Sequence, residues 1–283
     1  MPKTKVWLTD IVMGESPRWN GRDGGLWFAD WGTQEITAVD QSGRREVILR
    51  DAGALPLSLD WLPDGQLLVV AGREGRLLRL VDGSLVTYVD LRSLAATPWN
   101  EIVVDGRGNI YLNNTGFDFP TAPFAPGFIA LLTPDGALRP VADDIAFPNG
   151  MAVSPGNHTL IVAESYASRL SAFDIAADGS LANRRVWAEI PGAAPDGICL
   201  DAEGAIWYTD VPNQRCVRVR EGGEIAQTVE LDRGGFACMF GGPERRTLYI
   251  LANDWQGPAK MTGGERSGQL LAVTVDVPGA GWP

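Results

Sequence analysis

What most restricts the fold of this chain is a recurrence. Six times a β-rich run follows a turn made of Gly, Asp, Asn or Pro: Leu26-Trp27-Phe28-Ala29, Leu67-Leu68-Val69-Val70, Ile110-Tyr111-Leu112, Leu160-Ile161-Val162-Ala163, Ile206-Trp207-Tyr208-Thr209 and Leu248-Tyr249-Ile250-Leu251. Another apolar strand precedes each turn, and turns such as Pro63-Asp64-Gly65, Asp105-Gly106-Arg107-Gly108 and Asp201-Ala202-Glu203-Gly204 join the pairs. Long apolar patterns of helical period are almost absent, so the repeated unit is made of strands. The units begin at Glu15, Leu57, Asn100, Asn149, Asp196 and Ala237, spaced by 42, 43, 49, 47 and 41 residues. A propeller blade occupies about 40 to 50 residues. The expectation is an all-β fold, a six-bladed β-propeller forming a single domain over residues 1–283. Two stacked β-sandwiches, the alternative, require no fixed period. The segment Lys5-Val6-Trp7-Leu8 is expected to pair with Gln269-Leu270-Leu271-Ala272-Val273 in the last blade, removing an open sheet edge.

Charge narrows the partners. Against 24 Lys and Arg stand 35 Asp and Glu, a formal charge of −11. Such a surface repels phosphate backbones and anionic lipid, so neither nucleic acid nor membrane is expected as a partner. Cys199, Cys216 and Cys238 show no metal-type spacing and are expected to be reduced. The first residues contain no apolar stretch of secretory or spanning length, and the default location is cytoplasmic. A monomer is the default assembly.

In a propeller the first strand of every blade lines the central channel, so equivalent positions form a ring. The proposed ring reads Glu15, Leu57, Asn100, Asn149, Asp196, Ala237. Four members offer oxygen and two are carboxylates, whereas none is Lys or Arg. Converging negative charges need a counter-charge, and hard oxygen donors suit a divalent ion. Taken singly, Asn149-Gly150 and Asp196-Gly197 also read as ordinary turn pairs; the shared position carries the metal reading.

Across nearly the whole chain these segments resemble the family of senescence marker protein 30, gluconolactonase and luciferin-regenerating enzyme. The matching stretches are Gly14-Glu15-Ser16-Pro17-Arg18-Trp19, Trp99-Asn100-Glu101, Phe147-Pro148-Asn149-Gly150-Met151-Ala152, Pro195-Asp196-Gly197-Ile198-Cys199 and Cys238-Met239-Phe240-Gly241-Gly242-Pro243. The resemblance implies a six-bladed propeller with one divalent ion, Ca²⁺ by first choice with Mg²⁺, Mn²⁺, Zn²⁺ or Fe²⁺ also admitted. It implies that Glu15, Asn149 and Asp196 ligate the ion and that Asp196 is the general base. Asn100 matches a position that contacts substrate or reaches the metal, and Asp118 a substrate-contacting acid. Where sugar-lactone members carry Arg and Asp on either side of the Asn100 position, this chain has Pro98 and Glu101. Together with Trp31, Trp99, Phe117, Phe119 and Tyr166, that departure points to a pocket more apolar than a sugar site.

A lactone is then the expected substrate, opened by metal-assisted hydrolysis. Nucleophilic schemes that require histidine fare poorly, because His158, the one histidine, sits in a turn. Gly234-Gly235 and Gly263-Gly264 lack the lysine of a phosphate loop. Two alternatives remain at this level: cleavage of a phosphoester by the same metal, and a metal-binding propeller that regulates without turnover.

Overall fold

The computed structural model describes residues 4–258, 261 and 264–283. Six antiparallel sheets stand around a central channel, a six-bladed β-propeller. The innermost strands are Gly14–Asn20, Leu57–Trp61, Trp99–Val104, Pro148–Val153, Pro195–Asp201 and Gly234–Gly241 for blades 1 to 6. Each blade then steps outward strand by strand, as a meander of local hairpins.

Turn chemistry fixes the hairpins. Asp105 Oδ1 accepts the N–H groups of Arg107 at 2.8 Å and Asn109 at 2.9 Å, and Asp201 Oδ1 does the same for Glu203 and Ala205. An aspartate that caps its own turn in this way fixes where the chain reverses. Gly65 closes the turn of blade 2 with φ +90°, a value that L side chains disfavour.

The core lies between neighbouring blades. Trp99, fully buried, packs among Leu68, Val70, Ile102, Leu112 and Ala130, filling the space between blades 2 and 3. Truncating a residue of that size costs about 3–5 kcal/mol. Cys199, Cys216 and Cys238 are free thiols buried in the last two blades, with Cys199 and Cys238 sulfurs 3.6 Å apart.

The ring closes through the N-terminal strand Lys5–Ile11, which pairs with Gly268–Thr274 in blade 6 in the register Lys5↔Ala272, Val6↔Leu271. At the other terminus Gly279–Ala280 pair with Asp201 and Leu200 of the inner strand of blade 5, and Trp282 bridges to Val153 of blade 4. The chain's last residues thus run across the mouth at which the inner strands end. Among the described residues no helix is long and apolar enough to cross a membrane.

Candidate functional site

The site begins with an irregularity in the inner strands. In blade 3, Trp99 pairs with Asn114 and Ile102 with Leu112, so Asn100 and Glu101 together face Asn113. Blade 4 repeats this with Asn149 and Gly150 opposite Ala163, and blade 5 with Asp196 and Gly197 opposite Thr209. One extra residue in a strand bends it and re-aims its side chains, here at the channel mouth. Blade 1 has the same bulge one step later, at Ser16-Pro17, with Ser16 at φ 50°. Glu15 still faces Ala29 as Asn149 faces Ala163 and Asp196 faces Thr209, so it keeps the register of Asn100, Asn149 and Asp196, and only the bulge comes later. Blade 2 has no bulge at Leu57, and Ala237 sits within the bulge of blade 6.

Gly150 and Gly197 are not turn residues. A Cβ on Gly150 would lie 2.5 Å from Ile198 N, and one on Gly197 would lie 2.6 Å from the Ala237 Cα. Their absent side chains let adjacent inner strands approach, which draws Asn149 and Asp196 together.

The fold also sets which atom each amide presents. Asn100 Nδ2 donates to the Pro148 carbonyl at 3.3 Å, and that oxygen can only accept. Ser165 Oγ donates to the Pro195 carbonyl at 2.7 Å, so it must accept from Asn149 Nδ2, 3.3 Å away. Both amides turn nitrogen to the wall and keep carbonyl oxygen for the cavity. Behind them Asn113 joins two blades, its Oδ1 accepting Glu101 N–H at 3.0 Å and its Nδ2 donating to Asn149 O at 2.7 Å. Buried carboxylates at the ends of second strands pin the chain as it enters the inner strands. Asp30 accepts from Val12 and Met13 N–H, Glu164 from Ala146 and Asp210 from Ala194.

Electrostatics at this mouth are unbalanced. Burial, and then the facing carboxylates of Asp196 and Glu101, hold the Glu15 carboxyl well above the usual range. Asp196 is raised by burial and by Glu101, against a hydrogen bond from Asn149. Arg18 is the nearby buried cation, but it serves Glu101 at 3.2 Å, the Ile102 carbonyl at 2.6 Å and Asp60 at 3.8 Å. Even with that ion pair, burial leaves Glu101 raised. Among the described residues no three His, Cys, Asp or Glu gather as a metal cluster; the donors are two carboxylates and two amides. Poorly compensated carboxylates, Glu15 buried and Asp196 half-buried, beside amide oxygens held open are an environment that a hard divalent ion fits, and thiolate or imidazole chemistry is absent from the set.

Above this floor opens a cavity of about 520 Å³. Glu15, Asn100, Glu101, Asn149, Asp196 and Trp31 all line it. Trp31 is fixed by its indole N–H on the Leu57 carbonyl at 2.6 Å. Three sequence candidates lie elsewhere. Phe117 stands behind the wall, edge-on to Phe119 and Phe147 with centroids 6.3 and 5.7 Å away. Asp118 faces outward, bound to Arg73 at 2.8 Å. Trp99, read from sequence as a pocket aromatic, is in the core instead, where its ring meets Phe128 at 5.4 Å. Both loop residues follow a strand end, where periodicity gives no direction. Sequence reasoning missed Phe147, Phe236 and Trp255 in the lining, as well as Arg73 at the rim. Phe147 was legible, since it is two residues before Asn149 and stacks on Tyr166 at 4.6 Å. His158 is exposed and plays no part at this mouth.

Fold and donors together define a class, a six-bladed propeller with an oxygen-only donor set at one mouth. Within it, the chain belongs to the SMP-30/Gluconolactonase/LRE-like family, whose model matches residues 13–253. Regucalcin of Xenopus laevis is 26% identical over 89% of this chain and 89% of its own length. The 6-deoxy-6-sulfogluconolactonase of Pseudomonas putida is 24% identical over 96% of this chain and 94% of its own. The crystal structure of a calcium-binding protein, regucalcin, from Agrobacterium tumefaciens superposes with a TM-score of 0.82 at 21% identity, over 100% of this chain and 97% of that one.

Proposed function

We propose that this protein is a metal-dependent lactonase acting on small or weakly hydroxylated lactones. One observation carries the reading: Glu15 and Asp196 converge at the floor of a cavity with no free cation among the described residues, flanked by amide oxygens held open. A 6-deoxy-6-sulfogluconolactonase among the relatives and the calcium-binding regucalcin among the structural neighbours support the lactone and the ion respectively.

A bound divalent ion supplies carbonyl polarisation and lowers the pKa of water. Glu15, Asn149 and Asp196 would hold it, with Asn100 reaching the ion or the substrate. Asp196 takes the proton of the attacking water as the new C–O bond forms, and returns it to the ring oxygen as the ester C–O bond breaks. Trp31, Phe119, Phe147 and Tyr166 hold the apolar body of the lactone and exclude water from the carbonyl face.

The polar wall groups support that choice of substrate class. Thr115 shares its hydroxyl proton between the Pro98 and Phe117 carbonyls, Ser165 serves Pro195 and Asn149, and Arg73 is tied to Asp118 and the Phe119 carbonyl. A sugar hydroxyl brought against these three wall groups would lose water without gaining a free partner, which costs about 1–3 kcal/mol per buried group.

The test is turnover of chelator-stripped protein with Ca²⁺, Mg²⁺, Mn²⁺, Zn²⁺ or Fe²⁺ restored singly. Alkyl lactones, aldonolactones and an aryl phosphotriester are compared by kcat/KM, with Asp196→Asn as control. Metal-restored cleavage of alkyl lactones, lost in the variant, is the expected result. Preference for the phosphotriester, or tight metal binding without turnover, would replace this reading with one of the two alternatives.

A further inference from the structure

At the far end of the channel the chain builds a second and larger cavity, of about 750 Å³. Its walls include Trp19, Trp61 and Trp282, together with Arg18, Arg22 and Arg245. In a chain of net charge −11, three guanidinium groups line this opening against two carboxylates, Asp60 and Asp105. The carboxylates there are already committed. Asp60 accepts the N–H groups of Val104 and Trp61, each at 2.8 Å, and faces Arg18, while Asp105 caps its own turn. Arg18 is held by Glu101 and Ile102, and Arg22 donates to the Pro63 carbonyl at 3.2 Å.

Arg245 differs from both. It is half-buried, and its side chain makes no hydrogen bond or ion pair with any described residue. Burial holds its guanidinium below the usual arginine range. A partly desolvated cation with no counter-charge is a cost that an incoming anion relieves.

The aromatic walls are set before any ligand arrives. Trp19 stacks on Tyr249 with centroids 5.9 Å apart and planes at 10°, and lies so close to Gly241 that a Cβ there would come within 2.3 Å of its ring. Trp282 exchanges backbone hydrogen bonds with Val153 at 2.7 and 2.8 Å. Rigid indoles accept a flat apolar body, and one planar guanidinium fork matches one carboxylate better than a multiply charged group.

We propose that this far mouth is a second binding site, for a planar aromatic carboxylate held by Arg245 among Trp19, Trp61 and Trp282. The Arg18–Glu101 pair separates it from the metal mouth, and the proposal uses none of the lactonase chemistry.

The probe is 1-naphthoate, titrated into the full chain by calorimetry and by tryptophan fluorescence, with uncharged 1-naphthamide as control. Naphthoate is expected to bind one per chain, at least about tenfold more tightly than the amide. Arg245→Gln should raise the Kd about 10- to 100-fold, the range for one charge-assisted hydrogen-bonded pair, and Asp196→Asn should leave it unchanged. No saturable binding, equal affinity for the amide, or full binding by Arg245→Gln overturns the proposal. Loss of binding in Asp196→Asn would also overturn it, by placing the probe at the other mouth. If Arg245→Gln does not fold, Trp282→Ala, at a half-exposed wall, serves instead: about tenfold weaker binding is expected, and unchanged binding overturns the site.

Discussion

Neutralising one of the two carboxylates at the metal mouth should have opposite effects with and without an ion. Glu15→Gln keeps the side chain's shape and removes its charge. Two unit charges about 4 Å apart interact by about 4 kcal/mol at an effective dielectric of 20. Solvent at the open mouth and partial protonation reduce this, so the variant should be more stable than wild type by about 1–3 kcal/mol in chelator-stripped protein. For a chain of this size that raises Tm by about 2–5 °C. The pH dependence has a definite sign. The folded-state Glu15 carboxyl titrates well above its ordinary range, from burial first and then from Asp196 and Glu101. The native state therefore holds this proton more tightly than the unfolded chain. Its contribution to stability is present below the unfolded value of about 4.3 and is lost as pH rises through the elevated folded value. Glu15→Gln should flatten that slope. With Ca²⁺ at about 100 times its Kd, wild type gains about 2.7 kcal/mol by linkage, and the variant, short of one carboxylate ligand, gains little. Calorimetric Tm at pH 5 and pH 8, with chelator and with Ca²⁺, checks all four cells. A variant less stable than wild type in chelator, or equally stabilised by Ca²⁺, would refute the charge argument.

Ser165→Ala removes the acceptor that orients Asn149 and the donor on the Pro195 carbonyl; metal affinity by calorimetry should fall about 10- to 100-fold, with a stability loss of about 1–2 kcal/mol. Asp210→Ala strips a fully buried carboxylate from Ala194 N–H, Asn213 and Arg215. It should cost about 3–5 kcal/mol, read as a lower urea midpoint at unchanged m. Phe147→Ala opens the wall beside Tyr166, so KM for alkyl lactones should rise about tenfold while kcat changes little.

The propeller was legible because each blade is a local meander whose strands and turns lie within one stretch of about 45 residues, and closure by the first strand followed from its apolar pattern. Two features were not legible. The pairing of Gly279–Ala280 with the inner strand of blade 5 involves two small residues without alternation, so it leaves no periodic trace. The bulges consist of one unpaired residue each, and nothing marks a residue as extra until its partner strand is in place. The register of Glu15 with Asn100, Asn149 and Asp196 could be read from the sequence, but the later bulge of blade 1, at Ser16-Pro17, could not.

The donors proposed for the metal were singled out through recurrence, but recurrence alone does not separate a ligand from a structural staple. Ala29-Asp30, Ala163-Glu164 and Thr209-Asp210 recur at the ends of second strands as regularly as the ring positions do, and all three carboxylates are fully buried. The difference lies in what donates to them. Asp30 receives the N–H groups of Val12, Met13 and Gly32. Glu164 receives Ala146 N–H with Arg169 and Arg184, and Asp210 receives Ala194 N–H with Asn213 and Arg215. Their charge is satisfied by the fold, and a metal would have to displace those donors. Among the described residues Glu15 has only the Ser16 N–H at 3.2 Å, and Asp196 only the Asn149 amide. A carboxylate with several fixed donors is a staple, and one with almost none keeps charge free for the proposed ion. That distinction depends on partners brought together from different blades, so it becomes visible only once the ring has closed.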